Sequence, residues 1–151
     1  MSIFNAINTS ASALTAQRLR MDVVSSNIAN AQSTRATVNE NGEYTPYRRK
    51  MVVMEPENQS FKSYLHNAAN TSSSQNTGVK VKSIIEDESP FKMVFNPNHP
   101  DANEAGYVEM PNVDPLKEMV DLMSATRSYE ANVTTLNASK SMLLKALEIG
   151  R

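Results

Sequence analysis

Cysteine is absent from this chain of 151 residues, which removes disulfide frameworks, thiolate metal sites and cysteine nucleophiles together. Tryptophan is absent too, aromatic residues make up 6%, and there are 4 glycines, so neither a dense aromatic core nor a glycine-rich phosphate cradle is within its means. No stretch approaches the roughly 20 apolar residues of a membrane helix. The N-terminus, Met1-Ser-Ile-Phe-Asn-Ala-Ile7, lacks the basic start and apolar run of a secretory signal, so any export is expected to use a route without a cleaved signal. Charge of one sign is also missing: 15 basic and 16 acidic residues are mixed along the chain, for a net charge of -1. Neither nucleic acid nor an anionic membrane is therefore an expected partner, and membrane insertion is not expected.

What the chain does have is helical periodicity at both ends. Ile7, Leu14, Met21 and Ile28 recur every seventh residue, with Ile3, Ala11 and Val24 in support. Small and polar residues fill the rest of each turn, so this helix has a thin apolar stripe and needs partners. From Asp114 onward a stronger pattern runs through two series, Met119, Thr126, Val133, Lys140, Leu147 and Leu122, Tyr129, Leu136, Leu143. Asp114-Pro115 is a good helix start and Gly150 suits the end. Such a helix would be roughly 50 Å long and must project or lie along a neighbour.

Between the helices the chain changes character. Asn41-Gly42 signals a turn, and Tyr47 to Met54, Val79 to Ile85 and Phe91 to Phe95 read as short strands. Phe91, Met93 and Phe95 alternate with Lys92 and Val94, which predicts a half-buried strand. Residues 67–77 (NAANTSSSQNT) lack any apolar period and predict a mobile loop. The predicted fold class is α+β: long N- and C-terminal helices pairing as a coiled-coil-like core, with a small β-rich middle module. The expected divisions are residues 1–35, 36–112 (polar loop near 66–77) and 113–151.

A search for chemistry returns nothing that assembles into a site. The two histidines, His66 and His99, read as solvated loop residues, and no nucleophile elbow or paired-histidine metal helix occurs. His99-Pro100-Asp101 matches the tripeptide of J-domain co-chaperones. It follows Asn96-Pro97-Asn98 instead of a basic helix, and it reads as a rigid turn. Glu86-Asp87-Glu88 places adjacent carboxylates on different faces and reads as a solvated turn. The basic trio Arg48-Arg49-Lys50 reads as a surface or subunit contact. No catalytic, cofactor or metal residues are predicted, and the chain is expected not to be an enzyme.

Four stretches then acquire a joint meaning. Ser26-Asn-Ile-Ala-Asn-Ala31 resembles the Asn-Leu-Ala-Asn signature of the flagellar rod, hook and hook-associated axial family. Pro46-Tyr-Arg-Arg49, the segment Pro97 to Val108 with Met110-Pro-Asn-Val113, and Glu118-Met-Val with Ala125 to Asn132 resemble the proximal-rod branch of that family, over essentially the whole chain. The resemblance implies a structural subunit of the proximal rod, the drive shaft of the flagellar basal body. It also implies export through the flagellar type III apparatus. The implied partners are copies of itself, other rod subunits, and the ring and adaptor proteins of the basal body.

The expected assembly interface comprises Ile7, Leu14, Met21, Asn27, Ile28 and Asn30 on the first helix, and Met119, Leu122, Tyr129, Val133, Leu136, Leu143 and Leu147 on the second. Asn27 and Asn30 are expected to fix how the first helix turns into the module, or merely to cap it locally. A competing reading is a soluble adaptor or export chaperone that binds one partner through a helical hairpin.

Overall fold

The computed structural model describes residues 3–38, 42–57 and 78–149. The predicted loop near 66–77, Asn41 and Gly150 lie outside the described residues. Among the described residues, two long helices flank six short strands in sequence: α1 (Ile3–Ala29), β1 (Thr37–Val38), β2 (Tyr44–Thr45), β3 (Lys50–Pro56), β4 (Val79–Glu86), β5 (Lys92–Phe95), β6 (Tyr107–Met110) and α2 (Pro115–Ile149). The strands make three separate two-stranded sheets, β1-β2, β3-β4 and β5-β6. This is the α+β class that the periodicities predict.

Both helices begin or end where local chemistry dictates. Pro115 opens α2 at no cost in lost donors, and the Asp114 carboxylate accepts the Leu116 amide at 3.1 Å as an N-cap. α1 stops at Ala29, where the Asn30 side-chain amide folds back to donate to the Ser26 carbonyl at 2.9 Å. Two further turns follow, Ala31 to Ile28 and Ser33 to Asn30, and they lead the chain out of the helix.

By its internal contacts the chain groups into two compact units: one of Met1–Leu19, Val53–Ser83 and Ser124–Arg151, the other of Arg20–Val52 and Ile84–Met123. In the first, the β3-β4 end closes through Glu57 N donating to Gly78 O at 2.8 Å. The Val79 amide donates to the Ser12 hydroxyl of α1 at 3.1 Å. A Cβ on Gly78 would stand 2.6 Å from that hydroxyl, so only glycine permits so close an approach. Glu55 takes Lys80 at 3.2 Å and Lys82 at 3.5 Å. The hydrogen bond from Lys80 holds the Glu55 carboxyl below its ordinary range. The helix residues buried in this unit are small: Ser10, Ala16, Ala125 and Ser139.

The second unit holds the larger buried side chains Val23, Val24, Asn27, Tyr47, Val108, Val113 and Glu118. β1 and β2 pair antiparallel with Thr37 opposite Thr45, and their hydroxyls lie 2.5 Å apart. β5 and β6 pair antiparallel with Phe95 opposite Tyr107 and Met93 opposite Glu109. Gly106 sits at φ +80 in the connecting turn, where an added Cβ would also stand 2.9 Å from the Phe95 ring. β5 departs from the half-buried strand that its alternation predicts, because Met93 is 52% and Phe95 63% exposed. A two-stranded ribbon has only one covered face, and here Val108 fills it while Met93 and Phe95 turn outward.

Candidate functional site

The sequence places a charged residue where α2 should be apolar. Glu118 lies on the same helical face as Leu122, Ala125 and Tyr129. Burial of a carboxylate is expensive unless it is paired and hydrogen-bonded. Glu118 is fully buried and meets both demands. Its Oε1 accepts Arg49 Nε at 2.6 Å and its Oε2 accepts the Asn27 side-chain amide at 2.9 Å.

Asn27, also fully buried, uses every hydrogen-bonding position that it has. Its Nδ2 donates to Glu118 and to the Lys50 carbonyl at 2.9 Å, while its Oδ1 accepts the Lys50 amide at 2.9 Å and the Tyr47 hydroxyl at 3.0 Å. The side-chain amide thus pairs with both backbone groups of the first residue of β3, as a neighbouring strand would. Aspartate has the same shape but no donors, and it would set a second negative charge against Glu118.

Arg49 extends the cluster outward. Its guanidinium touches Asp121 at 3.5 Å and Asp87 at 3.7 Å, and Asp121 in turn pairs with Arg20 of α1 at 3.2 Å. Burial works against the Arg49 charge, yet the hydrogen bond and attraction of Glu118 prevail and hold its pKa above the ordinary value. The Arg49 amide donates to Asn112 Oδ1 at 2.8 Å, and the Asn112 amide group donates to the carbonyls of Asp87 at 3.0 Å and Ser89 at 3.3 Å. Asn27 therefore faces Glu118, and Arg20 faces Asp121, so the two helices pair antiparallel here: numbers rise along one as they fall along the other.

The motifs set aside as turns and surface charges have structural employment. Asp101 accepts Thr34 Oγ1 at 2.8 Å and Arg35 Nε at 2.6 Å, and its own amide donates to His99 Nδ1 at 3.1 Å. The Arg35 and Thr34 hydrogen bonds keep its carboxyl below the usual range. Asp87 takes the hydroxyl and amide of Ser89, which lower its pKa with help from Arg49. In the basic trio, Arg48 stacks 4.5 Å over Phe91, Lys50 stands 5.6 Å from the Tyr47 ring, and Arg49 is the centre of the cluster. All three residues of the trio remain half-buried, and Arg49 is the one drawn into the cluster.

Of the expected interface residues, Asn27 is buried in the cluster, and Asn30 caps the helix end and accepts the Ser33 hydroxyl. Ile7, Leu14, Met21, Ile28, Leu122, Tyr129, Val133, Leu136 and Leu143 are half-buried. Met119 and Leu147 are exposed. Tyr47, Asn112 and Glu118 are not candidate residues from the sequence, and Arg49 is one only as a member of the basic trio. Their signal was present: each lies in or beside a stretch quoted for the family resemblance, and the structure draws those stretches into one cluster. Among the described residues no group of three or more metal-ligating side chains occurs, and no helix is long and apolar enough to cross a membrane.

Comparison with known proteins agrees with this geometry. The family model for the flagella basal body rod protein matches residues 7–37, and the model for the C-terminal region of the flagellar basal body rod FlgEFG proteins matches residues 104–149. Both matched segments contribute to the cluster, through Asn27 and through Asn112 and Glu118, and the class they define is the flagellar basal-body rod protein. Over its full length the chain is 60% identical to the flagellar basal-body rod protein FlgC of Bacillus subtilis (strain 168), covering 100% of both. It is 44% identical to FlgC of Borreliella burgdorferi, over 99% of this chain and 98% of that one. To FlgC of Salmonella typhimurium it is 43% identical, over 100% of each. The chain belongs to the FlgC family of flagellar basal-body rod proteins.

Proposed function

We propose that this chain is a structural, non-catalytic subunit of the rod of the bacterial flagellar basal body and that it polymerises through its two terminal helices. The observation that carries the reading is full-length kinship with relatives named as rod proteins. The helices supply the physical reason. Beyond Met123, α2 buries only Ala125 and Ser139 fully, while Met142, Leu144, Leu147 and Ile149 remain exposed. Ordering so long a helix is offset when several such stripes meet, and hardly by a single chain.

In the finer reading, the rod segment is the proximal one, the subunit is exported by the flagellar type III apparatus, and its neighbours are copies of itself, other rod subunits, and ring and adaptor proteins. The adaptor or chaperone alternative is not favoured, since the relatives are named as rod proteins along their whole length.

Complementation tests the proposal. In Bacillus subtilis lacking its own FlgC, this chain is expected to restore swimming and to appear in purified basal bodies, whereas Leu136→Asp with Leu143→Asp is expected to abolish both. Swimming restored with the chain absent from basal bodies would sink the structural reading.

A further inference from the structure

α2 is apolar on two opposite faces, but only over its first turns. The inner face of those turns carries Glu118, fully buried, and Leu122, half-buried, in the second unit. On the opposite side Leu116, Val120 and Met123 follow at helical spacing, and they are 75%, 60% and 60% exposed. Further along that side the residues turn polar or small: Arg127, Glu130, Thr134, Ala138, Ser141 and Lys145. A helix with apolar residues on all sides is normally covered on all sides.

The same unit carries a second open apolar face. Met93 and Phe95 of β5 and Tyr107 of β6 share the outer side of the ribbon with Glu109, and Phe95 and Tyr107 stack edge to face with centroids 5.2 Å apart. The Glu109 side chain forms no ion pair or hydrogen bond among the described residues, and neither does the Lys117 side chain beside the helix stripe.

We propose that these two faces are the halves of one head-to-tail contact: Leu116, Val120 and Met123 of one copy seat on Met93, Phe95 and Tyr107 of the next, with Lys117 against Glu109. The occupant is a second copy because both halves, one apolar ridge with a free cation and one apolar sheet face with a free carboxylate, stand open on this chain. A contact between two different patches repeats from copy to copy, as a self-complementary patch does not. The proposal rests on the reading of the chain as a polymerising subunit. It adds a contact through the second unit that the heptad residues do not provide.

Because the chain has no cysteine, introduced thiols report unambiguously. Basal bodies are isolated from cells making Met93→Cys with Val120→Cys and are treated with a short bismaleimide. A ladder of multimers of this chain is expected from the double variant, dimers alone from a mixture of the two single variants, and no cross-link from either single variant by itself. A dimer from Met93→Cys alone would mean that the face meets itself, and cross-links solely to a different protein would mean a different occupant. Either result overturns the proposal, as does a double variant present in basal bodies but not cross-linked.

Charge reversal guards against variants that fail to incorporate. Glu109→Lys and Lys117→Glu are each expected to lower the amount of chain in basal bodies about tenfold, and the double reversal to restore it. No rescue overturns the pairing. Wild-type chain present in the same preparations separates failure of this contact from failure of the rod reading, which would remove the wild type as well.

Discussion

The two compact units hold their helix segments by different means. In Arg20–Val52 with Ile84–Met123, α1 and α2 are tied by side chains that specify each other: Asn27 to Glu118 and Lys50, Arg49 to Glu118, Arg20 to Asp121. In the unit that contains Met1–Leu19 and Ser124–Arg151, the buried helix residues are serines and alanines, and the large apolar side chains are half-buried or open. Small buried residues let helices approach closely but fix neither register nor partner. A buried polar cluster does the reverse, since any shift leaves donors and acceptors unpaired. Side-chain pairing thus specifies the helix geometry in one unit, while in the other the helices bury only small residues, and exposed apolar side chains occur in both.

The largest way to break this contrast is Glu118→Ala. It leaves Arg49 and Asn27 buried without their shared acceptor and is expected to cost about 3–5 kcal/mol, read as a fall in the urea midpoint of the purified chain. Asn27→Ala should follow at about 1–3 kcal/mol, because the Lys50 amide and carbonyl lose their partners. Asn30→Ala removes only a local cap and should cost about 0.5 kcal/mol; equal losses at the two asparagines would show that the cluster has no special weight.

Acid should act more gently. The folded-state pKa values of Asp87 and Asp101 lie below their unfolded value of 3.8, so their contribution is complete above that pH and is lost as pH falls through the lowered values. With Glu55 likewise held below its ordinary 4.5, the urea midpoint should hold level near neutrality and begin to decline below pH 4.5, with a shallower decline below pH 3.8 in Asp101→Asn. A decline complete by pH 5 would point to other groups.

The smallest effect on the chain itself is expected for Leu147→Asp, within about 0.5 kcal/mol, since Leu147 is 71% exposed. That variant sharpens the comparison if it leaves the urea midpoint untouched and still keeps the chain out of basal bodies. Hydrogen exchange on the monomer offers the direct view, with slower exchange expected at residues 20–29 and 115–123 than at 3–19 and 124–149.

Sequence by itself determined the elements that depend on local chemistry. The sevenfold spacing from Ile7 and from Met119 gave two helices, Asp114-Pro115 gave the start of the second, and the short strand stretches Val79 to Ile85 and Phe91 to Phe95 fall within a residue of β4 and β5. It also supplied the family resemblance, because Asn27, Tyr47 and Glu118 lie in recognisable stretches. Only the tertiary structure decided what those stretches do together. Asn27, Arg49, Asn112 and Glu118 are separated by up to 91 positions, as the Asn27–Glu118 bond shows, and no period or spacing links residues so far apart. Whether Phe95 faces a core or water was likewise beyond alternation, which says that two faces differ but not which one the rest of the chain covers.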